Sequence, residues 1–206
     1  MQAEGTPSQV VVVVESGTSI IDGLESCATA SSSRDLLAFD NKYFKCEVGV
    51  LQFSDGAALR DWFGATNQSP FIGALVIRFG ENDSVAHIQE LINANCFYDA
   101  EQIYLVMDAA TTISPVFQQI TGIINQHCIE TIVLDPTEEM IEEAEENGEK
   151  YGLPRLYEAL QIIEWPAKTL KRGVTNWGAQ ASSTQFSCRK GADEFGDWVR
   201  FTEDDE

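Results

Sequence analysis

The residues Val10 to Gly23, "VVVVVESGTSIIDG", bring together the types that phosphate chemistry uses: an apolar run, then a turn with a glycine and several hydroxyls. A turn that cradles a nucleoside triphosphate needs the spacing G-x-x-x-x-G-K-[ST]. Its glycines let backbone N–H groups wrap the phosphates, its lysine meets the β/γ charge, and its hydroxyl holds Mg²⁺. Counted from Gly17, the places of the second glycine and the lysine are taken by Asp22 and Gly23, and Leu24 follows. The lysine is missing, and the aspartate would repel a triphosphate. The base-reading pattern N-K-x-D fails as well, because the strand ending at Met107 runs into "DAAT". "DNKYF" at 40–44 contains Asn41 and Lys42 but precedes a strand and offers Phe44 where the aspartate belongs. "SDGA" after Phe53 is a faint version of the metal-binding D-x-x-G. These residues predict no phosphoryl transfer and no bound GTP.

Other reactive side chains form no better constellation. His87, Cys96, His127 and Cys128 follow no zinc spacing, and a cysteine nucleophile with a histidine base is undetermined. The five cysteines (Cys27, Cys46, Cys96, Cys128, Cys188) are scattered without a CxxC pair, which predicts reduced thiols, four of them core fillers. Seven glutamates between Glu138 and Glu149 lack the alternating ligands and central glycine of a calcium loop. They read as a solvated helix and loop, with docking of a basic partner as the other reading. No catalytic residue, metal site or cofactor is expected.

The elements that must position these residues alternate along the chain. Val10–Val14 is a buried strand, Ile20–Cys27 a short helix, and Tyr43–Phe53 alternates like a half-buried strand. A helix over 57–63, a fully apolar strand over 71–79, a helix over 83–95 and a strand over 102–108 follow. A helix over 115–126 and a strand over 130–135 complete the alternation. Leu153, Leu156, Leu160 and Ile163 define a last helix with Pro154 in its first turn. Strands alternating with helices predict an α/β fold of three layers: a mostly parallel sheet with helices on both faces, like a small GTPase. The domain is expected over 9–172. Residues 173–206, rich in Gly, Ser, Gln and Thr and then in acids, read as a disordered tail.

Composition narrows the partners. Among 206 residues, 44% hydrophobic content supports a core, while a formal charge of −20 opposes nucleic acid and anionic membranes. The start "MQAEGTPSQ" lacks a secretory pattern, and no apolar run is long enough to span a bilayer, so a cytosolic protein is expected. In the tail, "DEFGDWVRFTEDDE" sets Phe195, Trp198 and Phe201 among seven acids, a composition in which aromatics fill pockets while acids steer toward a basic rim. "FGDW" (Phe195, Gly196, Asp197, Trp198) resembles the motif read by the γ-adaptin ear, and "WVRFTE" (198–203) the motif read by the α-adaptin ear.

Three segments together resemble the α- and γ-adaptin-binding protein family, whose members have a GTPase-like fold without GTPase activity. They are Val10–Leu24 with its altered turn, "DNKYFKCEV" at 40–48, and the acidic run followed by "GLPRLYEALQIIEW". In the last, Gly152, Arg155, Leu156, Ala159, Leu160 and Trp165 fall on the family pattern. The resemblance covers about residues 9–170. It implies a non-enzymatic chaperone that binds α- or γ-adaptin large subunits with σ small subunits and releases them into complete clathrin adaptor complexes, in support of vesicle-mediated transport and endocytosis. Members carry a further helical region for self-association; the residues up to Glu206 hold no heptads, and the resemblance does not reach that property. The candidate contact residues are Asp40, Asn41, Lys42, Tyr43, Arg155, Trp165 and the tail residues Phe195 to Trp198 and Phe201. Each of the folded candidates also has a folding reading: Trp165 as a core plug, Asn41 and Lys42 as turn formers. Two other functions stay open at this point: an accessory protein that acts through its tail alone on adaptin ears, and a divergent nucleotide-binding protein using hydroxyls at Ser16–Ser19.

Overall fold

Five successive β-branched valines favour an extended chain, and burying every one of them requires apolar cover on both faces of a sheet. The computed structural model, which describes residues 7–15, 19–27, 35–65, 70–80 and 83–171 (for 94–98 the backbone alone), provides that cover. Val10 to Val14 are 0–3% exposed in β1 (Gln9–Val14). The chain continues through α1 (Ile20–Cys27), β2 (Leu36–Asp40), β3 (Phe44–Phe53), α2 (Gly56–Ala65), β4 (Phe71–Phe79) and α3 (Val85–Tyr98). Then come β5 (Gln102–Met107), the short α4 (Ala109–Thr112), α5 (Pro115–Gln126), β6 (Glu130–Val133), α6 (Glu138–Asn147), α7 (Gly152–Ile162) and β7 (Thr169–Leu170).

The strand order is β2-β3-β1-β4-β5-β6, with β7 added to β3. From β3 to β6 all pairings along this path are parallel, while β2 and β7 run antiparallel to β3. Alternate residues of each strand feed two cores. Val11 and Val13 pack with Ile20, Ile21 and Leu24 of α1 and with Leu156, Ala159 and Leu160 of α7. Val10, Val12 and Val14 pack with Leu59 of α2, Ile88, Leu91 and Ile92 of α3, and Ile120 and Ile124 of α5. The result is the three-layer, mostly parallel, small-GTPase-like architecture that the alternation of elements predicts.

Two local features differ from expectation and one agrees with it. β2 precedes the expected strand as the outer arm of a hairpin, because Leu37, Ala38 and Phe39 are buried although the apolar run is too short to announce itself. The glutamate-rich run forms, as expected, a solvated helix and a loop: α6 ends at Asn147, and Gly148 and Glu149 follow it. Thr137 Oγ1 accepts the Met140 N–H at 3.4 Å, and Gly148 closes the helix in the left-handed conformation (φ 67°). Of the cysteines, Cys46 is buried and Cys27 half-buried, but Cys128 is exposed at a left-handed position (φ 52°) just past α5, so it is not a core filler.

One packing contact ties the segment after α7 to the sheet. Trp165 is 1% exposed, and its indole N–H donates to Leu160 O at 2.9 Å. The ring lies near-parallel to Phe39 and edge-on to Phe71, each 6.0 Å between centroids. A Cβ at Gly73 would overlap this ring, so β4 needs glycine there. Replacing Trp165 with Ala is expected to cost about 3–5 kcal/mol. Gly73→Ala, by overpacking, is expected to cost about 1–3 kcal/mol. Urea denaturation of both variants checks this, and loss from Gly73→Ala should largely vanish when Trp165 is already Ala.

Candidate functional site

Parallel strands place their carboxyl ends on one rim, and in open α/β sheets ligands bind in the crevice beyond that rim. Each of the five parallel strands here leads into an acid. Directly after β1, Glu15 is 5% exposed, and its Oε2 accepts the Ile20 N–H at the start of α1 at 2.8 Å while Oε1 accepts from Gln52 Nε2 at 2.7 Å. Ser19 Oγ accepts the next amide, that of Ile21, at 3.2 Å. After β3, Asp55 accepts the Ala58 N–H at 2.9 Å and the Ser54 hydroxyl at 3.1 Å, and these bonds hold its carboxyl below the usual range. After β4, Asp83 accepts the Gly80 N–H at 2.8 Å. After β5, Asp108 pairs with Arg78 at 2.7 Å, and after β6, Asp135 accepts the Ala109 N–H at 2.7 Å.

The start of a helix after the first strand is where such folds hold a phosphate, since its free N–H groups and dipole attract an anion. Here a side-chain carboxylate occupies the first of those N–H groups. The Ser19 hydroxyl, one of those named for the divergent nucleotide site, is engaged as a helix cap; Ser16, Gly17 and Thr18 lie outside the described residues. Gly23, one place late for a phosphate turn, lies within α1 and gives room to the Leu153 side chain of α7. Sequence reasoning overlooked Glu15 and Gln52. The available signal was an ionisable residue at the end of an otherwise apolar strand.

Asp40, Asn41, Lys42 and Tyr43 form the turn between β2 and β3. Asn41 Oδ1 accepts the N–H groups of Tyr43 and Phe44 at 2.9 and 3.0 Å, and its own N–H donates to Phe44 O at 3.1 Å. A short amide side chain that bonds its own following backbone fixes such a turn. Its Nδ2 reaches Gln161 Oε1 on α7 at 3.2 Å. Asp40 meets Lys45 at 2.8 Å and Lys171 at 2.6 Å, and bonds from Lys171 and then Lys45 lower its pKa. Lys42 Nζ lies 4.7 Å from the centre of the Tyr43 ring, which is 51% exposed. The arrangement presents a tyrosine face from a rigid turn.

Arg155 lies six residues before Gln161, about 9 Å along the axis of α7, and turns to β6, bonding Glu130 at 2.8 Å and Glu158 at 3.5 Å. It is linked to the hairpin through α7 without joining it in one site. Trp165 offers no surface to a partner: burial assigns it to the core and removes it from the candidate contacts. Phe195, Gly196, Asp197, Trp198 and Phe201 lie outside the described residues. Two hollows flank β6. One of about 350 Å³ lies beside Glu101, Tyr104, Glu130 and Ile162 under the end of α7; the other, about 260 Å³, lies between β6 and α6. Among the described residues no group of three or more acid, His or Cys side chains is placed to hold a metal ion, and no helix is long and apolar enough to cross a membrane.

Comparison with protein-family models, curated proteins and solved structures finds no match to the chain.

Glu15→Ala is expected to cost about 0.5–2 kcal/mol, the range for losing a helix-start acceptor. Thermal or urea unfolding reads it, and Glu15→Gln should retain part of the loss. Tyr104 gives a pH test. Burial pushes its phenol up to about 12, and its hydroxyl donates to Ala159 O at 3.3 Å. The folded state keeps a proton that the unfolded state releases near pH 10, so this contribution is intact below pH ~10 and lost as pH rises toward ~12. Unfolding measured from pH 8 to 12 should show that decline, and Tyr104→Phe should flatten it.

Proposed function

We propose that the chain is a non-enzymatic assembly chaperone for clathrin adaptor complexes. It holds α- or γ-adaptin large subunits together with σ small subunits until the remaining subunits join. The observation that carries this reading is the row of carboxylates at the strand ends. With Glu15 accepting the Ile20 N–H at the start of α1, a carboxylate of the chain takes a helix N–H of the kind that a phosphate uses, which supports a GTPase-like frame working without nucleotide. Such a frame is suited to binding proteins. A nucleotide triphosphate entering the crevice would meet like charge.

The identity of the client rests on the resemblance of Val10–Leu24, Asp40–Val48 and Gly152–Trp165 to the adaptin-binding family. Unassembled adaptor subunits expose apolar interfaces that aggregate, and a holder of formal charge −20 keeps the covered intermediate soluble. The Asp40–Tyr43 turn supports the reading as a contact, because its geometry is fixed internally and Tyr43 stands out from it. The tail motifs around Phe195, Trp198 and Phe201 add affinity for adaptin ears. The work belongs in the cytosol, without nucleotide, nucleic acid or direct membrane binding.

The test is co-elution of the purified full chain with α/σ and γ/σ hemicomplexes, no nucleotide present. Co-elution is expected, and Tyr43→Ala with Lys42→Glu should weaken it about tenfold, the loss of a contact worth about 1.4 kcal/mol. Binding abolished by Phe195→Ala with Trp198→Ala and unchanged by the turn variant would assign recognition to the tail instead. Stabilisation by millimolar GTP or ATP with Mg²⁺ would overturn the non-enzymatic reading.

A further inference from the structure

From the unpaired edge of β6 we infer a docking site for an extended, lysine- or arginine-bearing segment of a partner protein, which adds as a strand beside Thr131 and Val133. β6 is the last strand of the sheet and pairs with β5 on one side. Leu134 N–H donates to Met107 O at 2.8 Å in a register that pairs Met107 with Val133. In a parallel ladder the N–H and C=O of one residue point the same way and alternate along the strand. Ile132 and Leu134 therefore face β5, and Thr131 and Val133 turn their backbone groups outward. Among the described residues no hydrogen bond reaches those groups.

Beside this edge runs the hollow of about 260 Å³, walled across by Met140 and Ala144 of α6 and ended by Tyr151 and Gly152. That volume far exceeds the ~10–15 Å³ that one water needs, so the hollow is a slot open to water and not a packing defect. α6 has no buried residue, so the wall opposite the strand is lightly seated between its Thr137 cap and Gly148. Apolar contacts along the slot suit alternate side chains of an added strand, as in known strand-addition recognition.

Charge selects the occupant. Glu130 and Glu149 line the slot, and α6, which supplies its opposite wall, carries six further glutamates. The cations there are Lys150 and Arg155, both already paired with Glu158 or Glu130. An acidic or neutral strand gains nothing from that wall, whereas a basic one is drawn to it. The four-residue length of β6 limits indiscriminate pairing, as short edges do.

The test uses the full chain and three labelled ten-residue probes: alternating Val-Lys, alternating Val-Glu, and Val-Lys with alternate amides N-methylated on the pairing side. Anisotropy should show Val-Lys binding about tenfold or more tighter than either control, the N-methylated probe losing two backbone bonds. Amide hydrogen exchange should slow at Thr131 and Val133 on binding the Val-Lys probe. Thr131→Pro, whose missing N–H faces away from β5, should abolish binding; the N-methylated probe makes the same comparison without changing the chain. Equal binding of the N-methylated and parent probes overturns strand addition and leaves surface charge alone. So does binding with no added protection at Thr131 and Val133, or no binding at all. Protection of those amides in the free chain that disappears on dilution overturns the proposal in favour of a second copy of the chain.

Discussion

The seat of Trp165 on Gly73 is the contact from which the rest of this architecture hangs. Its ring touches Phe39 on the edge strand β2 and Phe71 on β4, so one side chain fastens strands from both halves of the sheet. Beyond it the chain is held over the sheet by Gln9, 2% exposed, which donates to Glu47 O at 2.6 Å and accepts the Ala167 N–H at 2.9 Å. That path places β7 on β3 and Lys171 on Asp40. Asp40, where β2 enters the turn, is thus held by a residue more than a hundred positions away.

The rim at the strand ends follows a second constraint. Loops that leave parallel strands and enter helices carry free N–H groups, and these must be paired. Nucleotide-binding relatives of the architecture use the ligand for part of that pairing. Here Glu15, Asp55, Asp83 and Asp135 each accept a backbone N–H, so part of that pairing comes from the chain's own side chains.

Much of the fold was legible because it rests on long patterns. The valine run, the apolar stretch 71–79 and the Leu153–Ile163 spacing each announced an element and the face it buries. β2 was not legible, since Leu36–Asp40 is five residues long and its pairing depends on a turn bond from Asn41. Glu15 was missed for a related reason: its partners, Ile20 and Gln52, are assembled by the fold and share no motif. The motif around Gly152–Trp165 is instructive in the other direction. Gly152 takes a left-handed φ of 63°, Leu156, Ala159, Leu160 and Trp165 are buried, and Arg155 pins α7 to β6. A pattern that resembles a functional family reports chiefly how the last helix is packed.

The position of β1 in both chain and sheet bears on how the protein is made. Its valines leave the ribosome before both of the strands they lie between, β3 and β4, and the second of these neighbours begins 57 residues later. At synthesis rates of about 5–20 residues per second, Val10–Val14 waits about 3–11 s before both its edges can be covered. During that interval the nascent chain displays a short, uncharged, β-prone segment of the kind that self-associates. Glu4 before it and Glu15 directly after it are the charges that flank it on either side. The residue that caps α1 in the finished fold thereby also guards the strand before the fold exists.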